Sequence, residues 1–183
     1  MPPLHEYTPC PVKVRLQSPH LDRRAALVAT LGTWAWLGGC APAVSAPVFD
    51  YTLLDGSRHN SAALRGQVLL LNFWATSCAV CVNEMPNLAA THRQFAAQGL
   101  QTLAVAMQYD APALVADFTE KRQLPFGVVI DNTGAVARAF GDVRATPTTL
   151  LVSRAGRIAW RHEGAPSFAP LRARIAQLLA EPA

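Results

Sequence analysis

Two cysteines, Cys78 and Cys81, stand between a predicted strand and a predicted helix. The apolar run at 68–71 predicts a buried strand, and apolar residues at helical spacing over 81–96 predict a helix. Positions i and i+3 share one face of a helix, so the two sulfurs can meet with little rearrangement. Free N–H groups at the helix start favour a thiolate on Cys78. We therefore expect a redox-active dithiol in which Cys78 attacks a disulfide and Cys81 resolves the product.

Two structural roles for this cysteine pair are weaker alternatives. A structural zinc site needs four ligands, whereas His59, His92 and His162 are scattered singly and are expected at the surface. We therefore predict no metal site. A purely structural disulfide would close so small a loop that it would constrain the unfolded chain little.

Composition argues against a nucleic-acid partner. The chain has 183 residues, of which 51% are hydrophobic and 15% charged, enough for one domain with a sizeable core plus an extension. Its formal charge is +4, but the 12 basic and 10 acidic residues from Ala41 onward leave only +2. No basic run interleaved with aromatic residues follows position 40, so no nucleic-acid partner is expected.

The N-terminal segment has the pattern of a leader. Arg23 and Arg24 precede an uncharged apolar stretch at 25–37, and two glycines then lead to Cys40. Positive charge, an apolar segment of about a dozen residues and a small-residue exit are the parts of a secretory signal. We predict that residues 1–46 are this leader.

Three interpretations of the leader stay open. Residues 37–40 (LGGC) resemble the bacterial lipobox, which would make Cys40 a lipidated N-terminus. The paired arginines could instead belong to a twin-arginine signal. Residues 25–46 could also remain as an uncleaved anchor, since 22 uncharged residues can just span a bilayer. Each interpretation places the domain at 47–183 outside the cytoplasm, and the expected location is the bacterial periplasm, with membrane association through the N-terminus.

The remaining segments predict an α/β domain. Loose alternation over 49–54, followed by Asp55 and Gly56, predicts an added N-terminal β-hairpin. Later segments alternate in type, which predicts a central mixed sheet of four or five strands flanked by helices. The predicted strands are 68–75, 100–107, 126–130, 148–152 and 158–162. The predicted helices are 78–98, 135–140, 167–181 and one that begins at Asp110 or Pro112 and runs to about 123.

Three motifs resemble those of a known family. They are residues 74–81 (WATSCAVC), Pro86 inside the following helix, and residues 141–149 (GDVRATPTT). Together they resemble the thioredoxin superfamily, and most closely its exported TlpA/ResA-like branch, over roughly residues 47–180. The resemblance implies a thioredoxin-like fold. Pro86 also removes a backbone donor and is expected to kink its helix.

The departures from the thioredoxin pattern direct attention to Glu84. Many relatives carry Trp before the first cysteine, where this chain has Ser77. Thioredoxin has a buried Asp where this chain has Asn72, which cannot accept a proton. The resemblance implies that Glu84, one turn past Cys81, serves near the dithiol instead. A partly buried carboxylate there would have a raised pKa and could deprotonate Cys81 during resolution. The alternative is an ordinary exposed glutamate near a helix start.

The resemblance assigns two further positions to the site. It implies that Pro147 is a cis proline facing the dithiol, which leaves the backbone of Thr146 free to pair with an extended substrate segment. A trans proline in a plain loop is the alternative. Trp74 is expected to pack below the dithiol and exclude water, or simply to fill the core.

The expected function is that of an extracytoplasmic thiol–disulfide oxidoreductase with no cofactor besides the Cys78–Cys81 disulfide. The resemblance implies client proteins with disulfides or thiols, such as apocytochrome c or copper-site proteins. It also implies reduction as the direction and a membrane electron donor. One alternative is a copper-delivery module that uses the same cysteines. A redoxin-type peroxidase is weaker, because its motif would need Pro at 71 and Thr at 75, where this chain has Leu71 and Ala75.

Overall fold

The domain is organised around a strand whose residues are all buried. That strand is β3, Val68–Trp74, and burial along its whole length means that both of its faces are covered. The computed structural model describes residues 44–182. Its other strands are β1 Asp50–Thr52, β2 Arg58–Asn60, β4 Leu100–Ala106, β5 Gly127–Ile130, β6 Thr148–Val152 and β7 Ile158–Glu163. Its α-helices are α1 Ala79–Phe95, α2 Pro112–Arg122, α3 Ala135–Ala139 and α4 Phe168–Ala180.

The sheet is mixed and has β3 at its centre. The strand order is β5-β4-β3-β6-β7; β3, β4 and β5 run parallel, whereas β6 is antiparallel to both β3 and β7. The strands β1 and β2 form a separate antiparallel hairpin, and Gly56 in its turn has a φ of 84°, which favours glycine. The predicted α/β architecture with a mixed sheet and an added N-terminal hairpin is confirmed.

Helix α1 begins directly after Cys78. Its N-cap is Cys78, and after a short 3-10 turn the chain reverses at Gly99, whose φ is 101°. Pro86 lies inside α1 with its ring exposed, and the helix lacks the hydrogen bond that a backbone N–H at this position would donate. In α4, four apolar side chains at helical spacing are buried: Leu171, Ile175, Leu178 and Leu179.

The predicted leader falls mostly outside the part of the chain that the structure describes, and Cys40 lies there too. Its last residues, 44–46, are described. They hydrogen-bond to the chain before β7, where the amide of Ala46 donates to the carbonyl of Gly156 at 2.9 Å. The boundary between positions 46 and 47 stays a prediction. Within residues 44–182, none of the helices combines the length and apolarity needed to cross a membrane.

Candidate active site

The two cysteines form a disulfide at the N-terminus of α1. Their Cα atoms are 5.2 Å apart. The backbone N–H of Cys81 donates to Sγ of Cys78 at 3.2 Å, so a helix-start amide points at the first sulfur. Cys78 is half-buried, whereas Cys81 is fully buried. In the reduced protein, this difference would leave Cys78 as the thiol that a client can reach, with a donor in place for its thiolate.

The loop before β6 faces the first sulfur. Sγ of Cys78 lies 3.7 Å from the carbonyl oxygen of Thr146, and the peptide bond between Thr146 and Pro147 is cis, as predicted. The side chain of Pro147 is buried and its carbonyl accepts from the amide of Gly164 at 2.8 Å. Thr146 is only half-buried. The backbone next to Cys78 is therefore held on one side and open to a partner on the other.

A polar side chain of the central strand contacts α1 one turn past Cys81. Asn72 of β3 donates through Nδ2 to Oε1 of Glu84 at 2.8 Å and to Oγ1 of Thr149 at 3.2 Å. Glu84 is 4% exposed, which rules out an ordinary surface glutamate. Its second oxygen, Oε2, has no hydrogen-bond partner within residues 44–182.

Burial changes the acidity of this carboxyl group. Loss of solvent raises the pKa of Glu84 to about 7, although the hydrogen bond from Asn72 acts in the opposite direction. A carboxyl with a pKa near neutrality can both accept and release a proton at physiological pH. Cys81 and Glu84 stand three positions apart on α1, which puts them on the same side of the helix.

A buried carboxylate holds the segment that leads into the dithiol. Asp110, which follows β4, accepts from the backbone N–H of Thr76 at 2.6 Å and from its hydroxyl at 2.5 Å. Asp110 is 7% exposed, and both of its oxygens are engaged by the same residue. Sequence reasoning placed Asp110 only as a possible start of α2. Thr76 and Asp110 are 34 positions apart, and a contact at that separation leaves no local pattern in the sequence.

Comparison with known proteins identifies the family of this domain. The family model described as Redoxin matches residues 40–175. The chain belongs to the redoxin family.

Individual relatives of this redoxin agree with that assignment. The thiol-disulfide oxidoreductase ResA of Geobacillus thermodenitrificans is 36% identical over 115 residues, which cover 62% of this chain and 64% of ResA. The match thus spans slightly less than two thirds of that relative. The ResA of Bacillus subtilis is 33% identical over 113 residues, 62% of each protein. These matches confirm the predicted membership of the TlpA/ResA-like branch of the thioredoxin superfamily.

The fold of the redoxin is also shared with a solved structure. A thioredoxin family protein from Chlorobium tepidum, described as a thiol:disulfide interchange protein, superimposes with a TM-score of 0.71. The alignment covers 76% of this chain and 99% of that chain, at 24% identity. This likeness supports the thioredoxin-like fold of residues 44–182.

Trp74 packs in the apolar cluster that also contains Cys81. Its side chain is fully buried, and its ring centroid is 5.1 Å from that of Phe118 of α2. Its Nε1 has no hydrogen-bond partner in the described part of the chain. Core packing is therefore observed, and exclusion of water from the dithiol stays a prediction.

The expectation for the single histidines is only partly correct. His59 is exposed, but His162 is half-buried with its ring stacked on Trp160 at 5.4 Å. His92 is also half-buried; its Nδ1 is 3.2 Å from Oγ1 of Thr102, and burial lowers its pKa. The rings of His92 and His162 each contact a residue that is distant or unpredictable from the sequence pattern, so a single histidine in the sequence does not reveal its burial. Across residues 44–182, no cluster of three or more His, Cys, Asp or Glu side chains could hold a metal ion.

Proposed function

We propose that this redoxin is a thiol–disulfide oxidoreductase that exchanges the Cys78–Cys81 pair with client proteins and needs no other cofactor. The observation that carries the proposal is the position of Cys78. This residue is half-buried at a helix start, and its Sγ accepts a hydrogen bond from the backbone N–H of Cys81. The same Sγ lies 3.7 Å from the carbonyl oxygen of Thr146. A client segment that pairs with the backbone of Thr146, beside Pro147, would present its sulfur to Cys78.

The reaction proceeds in two exchanges. The thiolate of Cys78 attacks one client sulfur, the client disulfide breaks, and the second client sulfur leaves as a thiolate. Cys81, deprotonated by Glu84, then attacks Sγ of Cys78 and releases the first client sulfur. The client gains two electrons, the enzyme dithiol loses two, and the two client thiolates take up protons. Trp74 would keep water away from the dithiol, and Pro86 would shape the helix that carries Glu84.

We further propose that the direction is reduction and that the domain works outside the cytoplasm. The name of the ResA relatives supports the chemistry, and the pattern of the leader supports export. A membrane electron donor would return two electrons to the disulfide after each cycle. Lipidation at Cys40 or an uncleaved N-terminal helix would hold the domain at the membrane, in the bacterial periplasm.

Trapping of the mixed disulfide tests the proposal. The reduced Cys81→Ser variant should form a covalent adduct with a disulfide-containing client or peptide, because the resolving thiol is missing. The Cys78→Ser variant is the matched control and should form none, since Cys81 is buried. Equal adduct formation by both variants would contradict the assigned roles, and so would adduct formation by the Cys78→Ser variant only.

A further inference from the structure

A cavity opens beside the loop that faces the dithiol. Its volume is about 290 Å³. Its walls come from the chain after β4, from α3 with the turn before it, and from the chain that leads to the cis proline. They include Gln108, Tyr109, Gly134, Arg138, Asp142 and Arg144. None of these residues belongs to the dithiol, to the buried Asn72–Glu84 pair or to the cis peptide bond.

One aromatic side chain joins the cavity to the exchange site. Tyr109 lines the cavity and is 59% exposed, and its hydroxyl is 3.5 Å from Oγ1 of Thr146. Arg144, on the other wall, precedes Thr146 by two residues. A polypeptide lying along Thr146 therefore passes the mouth of the cavity. Alternate side chains of such an extended segment point to the same side and are about 7 Å apart.

The charge of the cavity is positive. Its charged lining residues are Arg138, Arg144 and Asp142. Arg144 binds the carboxylate of Asp142 through Nε and Nη2, which leaves Arg138 as the uncompensated charge. Arg138 donates through Nη1 to the carbonyl of Thr133 at 2.8 Å, and this bond orients its guanidinium.

The backbone of the cavity lining at Gly134 favours glycine, and a side chain there would displace the ends of two flexible side chains. A Cβ atom there would lie 2.5 Å from Oε1 of Gln108 and 3.0 Å from Nη1 of Arg138. Gly134 is buried and has a φ of 69°, a conformation that glycine adopts without strain. The absent side chain lets Gln108 and Arg138 converge, so the wall carries an amide beside a guanidinium.

We propose that this cavity binds an acidic side chain of the client, carried by the segment that pairs with Thr146. This inference rests on the proposed exchange function and adds a preference among clients. A carboxylate is the common anionic group of polypeptides, and guanidinium groups bind it with directed hydrogen bonds. Arg138 would supply the charge, Tyr109 would separate the bound side chain from the dithiol, and Asp142 would oppose binding.

Matched peptides test the preference. Each peptide carries one disulfide and differs only in one flanking residue, which is Glu, Gln or Lys. We expect reduced wild-type protein to react about fivefold faster with the Glu peptide than with the Gln peptide at low salt, and slowest with the Lys peptide. The ratio should fall towards one in about 0.5 M salt, because the pair is accessible to solvent. A ratio of one at low salt, or a preference for Lys, would overturn the proposal.

Three variants locate the effect. Arg138→Gln should bring the Glu-to-Gln rate ratio close to one, whereas Asp142→Asn should raise it, because the competing carboxylate is gone. Arg93→Gln removes an equal charge near the far end of α1, roughly 20 Å along the helix axis from Cys78, and should leave the ratio unchanged. Both rates are measured on one sample, so the ratio does not depend on the folded fraction. An Arg138→Gln ratio equal to that of wild type would refute the assignment.

Two further measurements separate this inference from the exchange function itself. Reduction of bis(2-hydroxyethyl) disulfide, which is small and uncharged, reports on Cys78 and Cys81 alone; no reaction there would overturn the proposed function. The affinity of the oxidised protein for labelled Glu and Gln peptides requires no chemistry. Tighter binding of the Glu peptide would support the cavity assignment even if the protein reduced no disulfide. Equal binding of the two peptides would overturn it.

Discussion

The two faces of β3 have different chemistry. Toward one side, Leu71 and Phe73 pack into an apolar cluster with the hairpin and α3, where Phe73 and Phe140 have ring centroids 6.1 Å apart. Toward the other side, Asn72 and Trp74 lie under α1 and the dithiol. Three buried polar atoms without a hydrogen-bond partner in residues 44–182 belong to this second side: Oδ1 of Asn72, Nε1 of Trp74 and Oε2 of Glu84.

This contrast separates stability from chemistry within a single strand. A buried polar atom without a partner costs roughly 1–3 kcal/mol, so the three such atoms impose a penalty on the dithiol face. The same burial raises the pKa of Glu84 to about 7. Burial of apolar side chains on the other face would then offset this cost in folding free energy. Substitutions on the two faces should accordingly differ in whether they change stability or exchange.

The largest effect is expected on the apolar face. Phe73→Ala removes a fully buried ring and should lower the free energy of unfolding by about 3–5 kcal/mol. The exchange rate of the folded fraction should stay close to that of wild type. Urea unfolding and a disulfide-reduction assay on the same preparation measure both. Leu114→Ala is the control, since Leu114 is 56% exposed and should lose less than about 0.5 kcal/mol. A large loss of exchange in folded Phe73→Ala would erase the distinction between the faces.

Next in size is a pH dependence that comes from the dithiol face. The ordinary pKa of Glu84 is 4.5 and its pKa in the folded protein is about 7, so only the folded state keeps the proton between these values. The unfolding free energy should therefore fall as pH rises through this window, by about 1.4 kcal/mol per pH unit and by at most about 3 kcal/mol.

Urea unfolding of the oxidised protein from pH 4 to pH 8 measures this dependence. Subtraction of the same curve for Glu84→Gln isolates the carboxyl, because every other titrating group is common to both proteins. The difference should change between the two pKa values and be flat on either side of them. A difference curve without slope in that window would mean that Glu84 titrates as it does in the unfolded chain.

The exchange reaction should respond to the same residue. We expect Glu84→Gln to keep the fold and to slow reduction of a disulfide near neutral pH by about 10²-fold, at the lower end of what a general base contributes. Its pH–rate profile should also lose the inflection near 7. Glu120→Gln, at an exposed glutamate of α2, serves as the control and should react like wild type. A wild-type rate and profile for Glu84→Gln would show that another group accepts the proton.

The sequence predicted the elements of this site better than the contacts between them. An unbroken apolar run before Cys78 and helical spacing after it were enough to place β3 and α1, because both patterns are local. The cis bond before Pro147 followed from a resemblance, since most bonds before proline are trans. The bonds from Asn72 to Glu84 and from Asp110 to Thr76 join positions 12 and 34 apart, and no periodicity records such pairs.

The smallest effect is expected where the polar groups beside the dithiol are fully satisfied. Asp110 uses both oxygens to hold Thr76, two residues before Cys78. Asp110→Asn keeps the shape and one acceptor for the backbone N–H, but its NH2 group makes the hydroxyl of Thr76 the acceptor, and both bonds lose the charge of the carboxylate that strengthened them. We expect the free energy of unfolding to fall by about 1 kcal/mol and the exchange rate by a few-fold, because the segment that carries Cys78 becomes less fixed.

Thr76→Ser keeps both donors and should behave like wild type, whereas Thr76→Val loses the hydroxyl and should resemble Asp110→Asn. The double variant Asp110→Asn, Thr76→Val should cost less than the sum of the single changes, since both act on the same hydrogen bond between the two side chains. Strictly additive losses would mean that the two residues act independently and that this hydrogen-bonded pair does not position the dithiol.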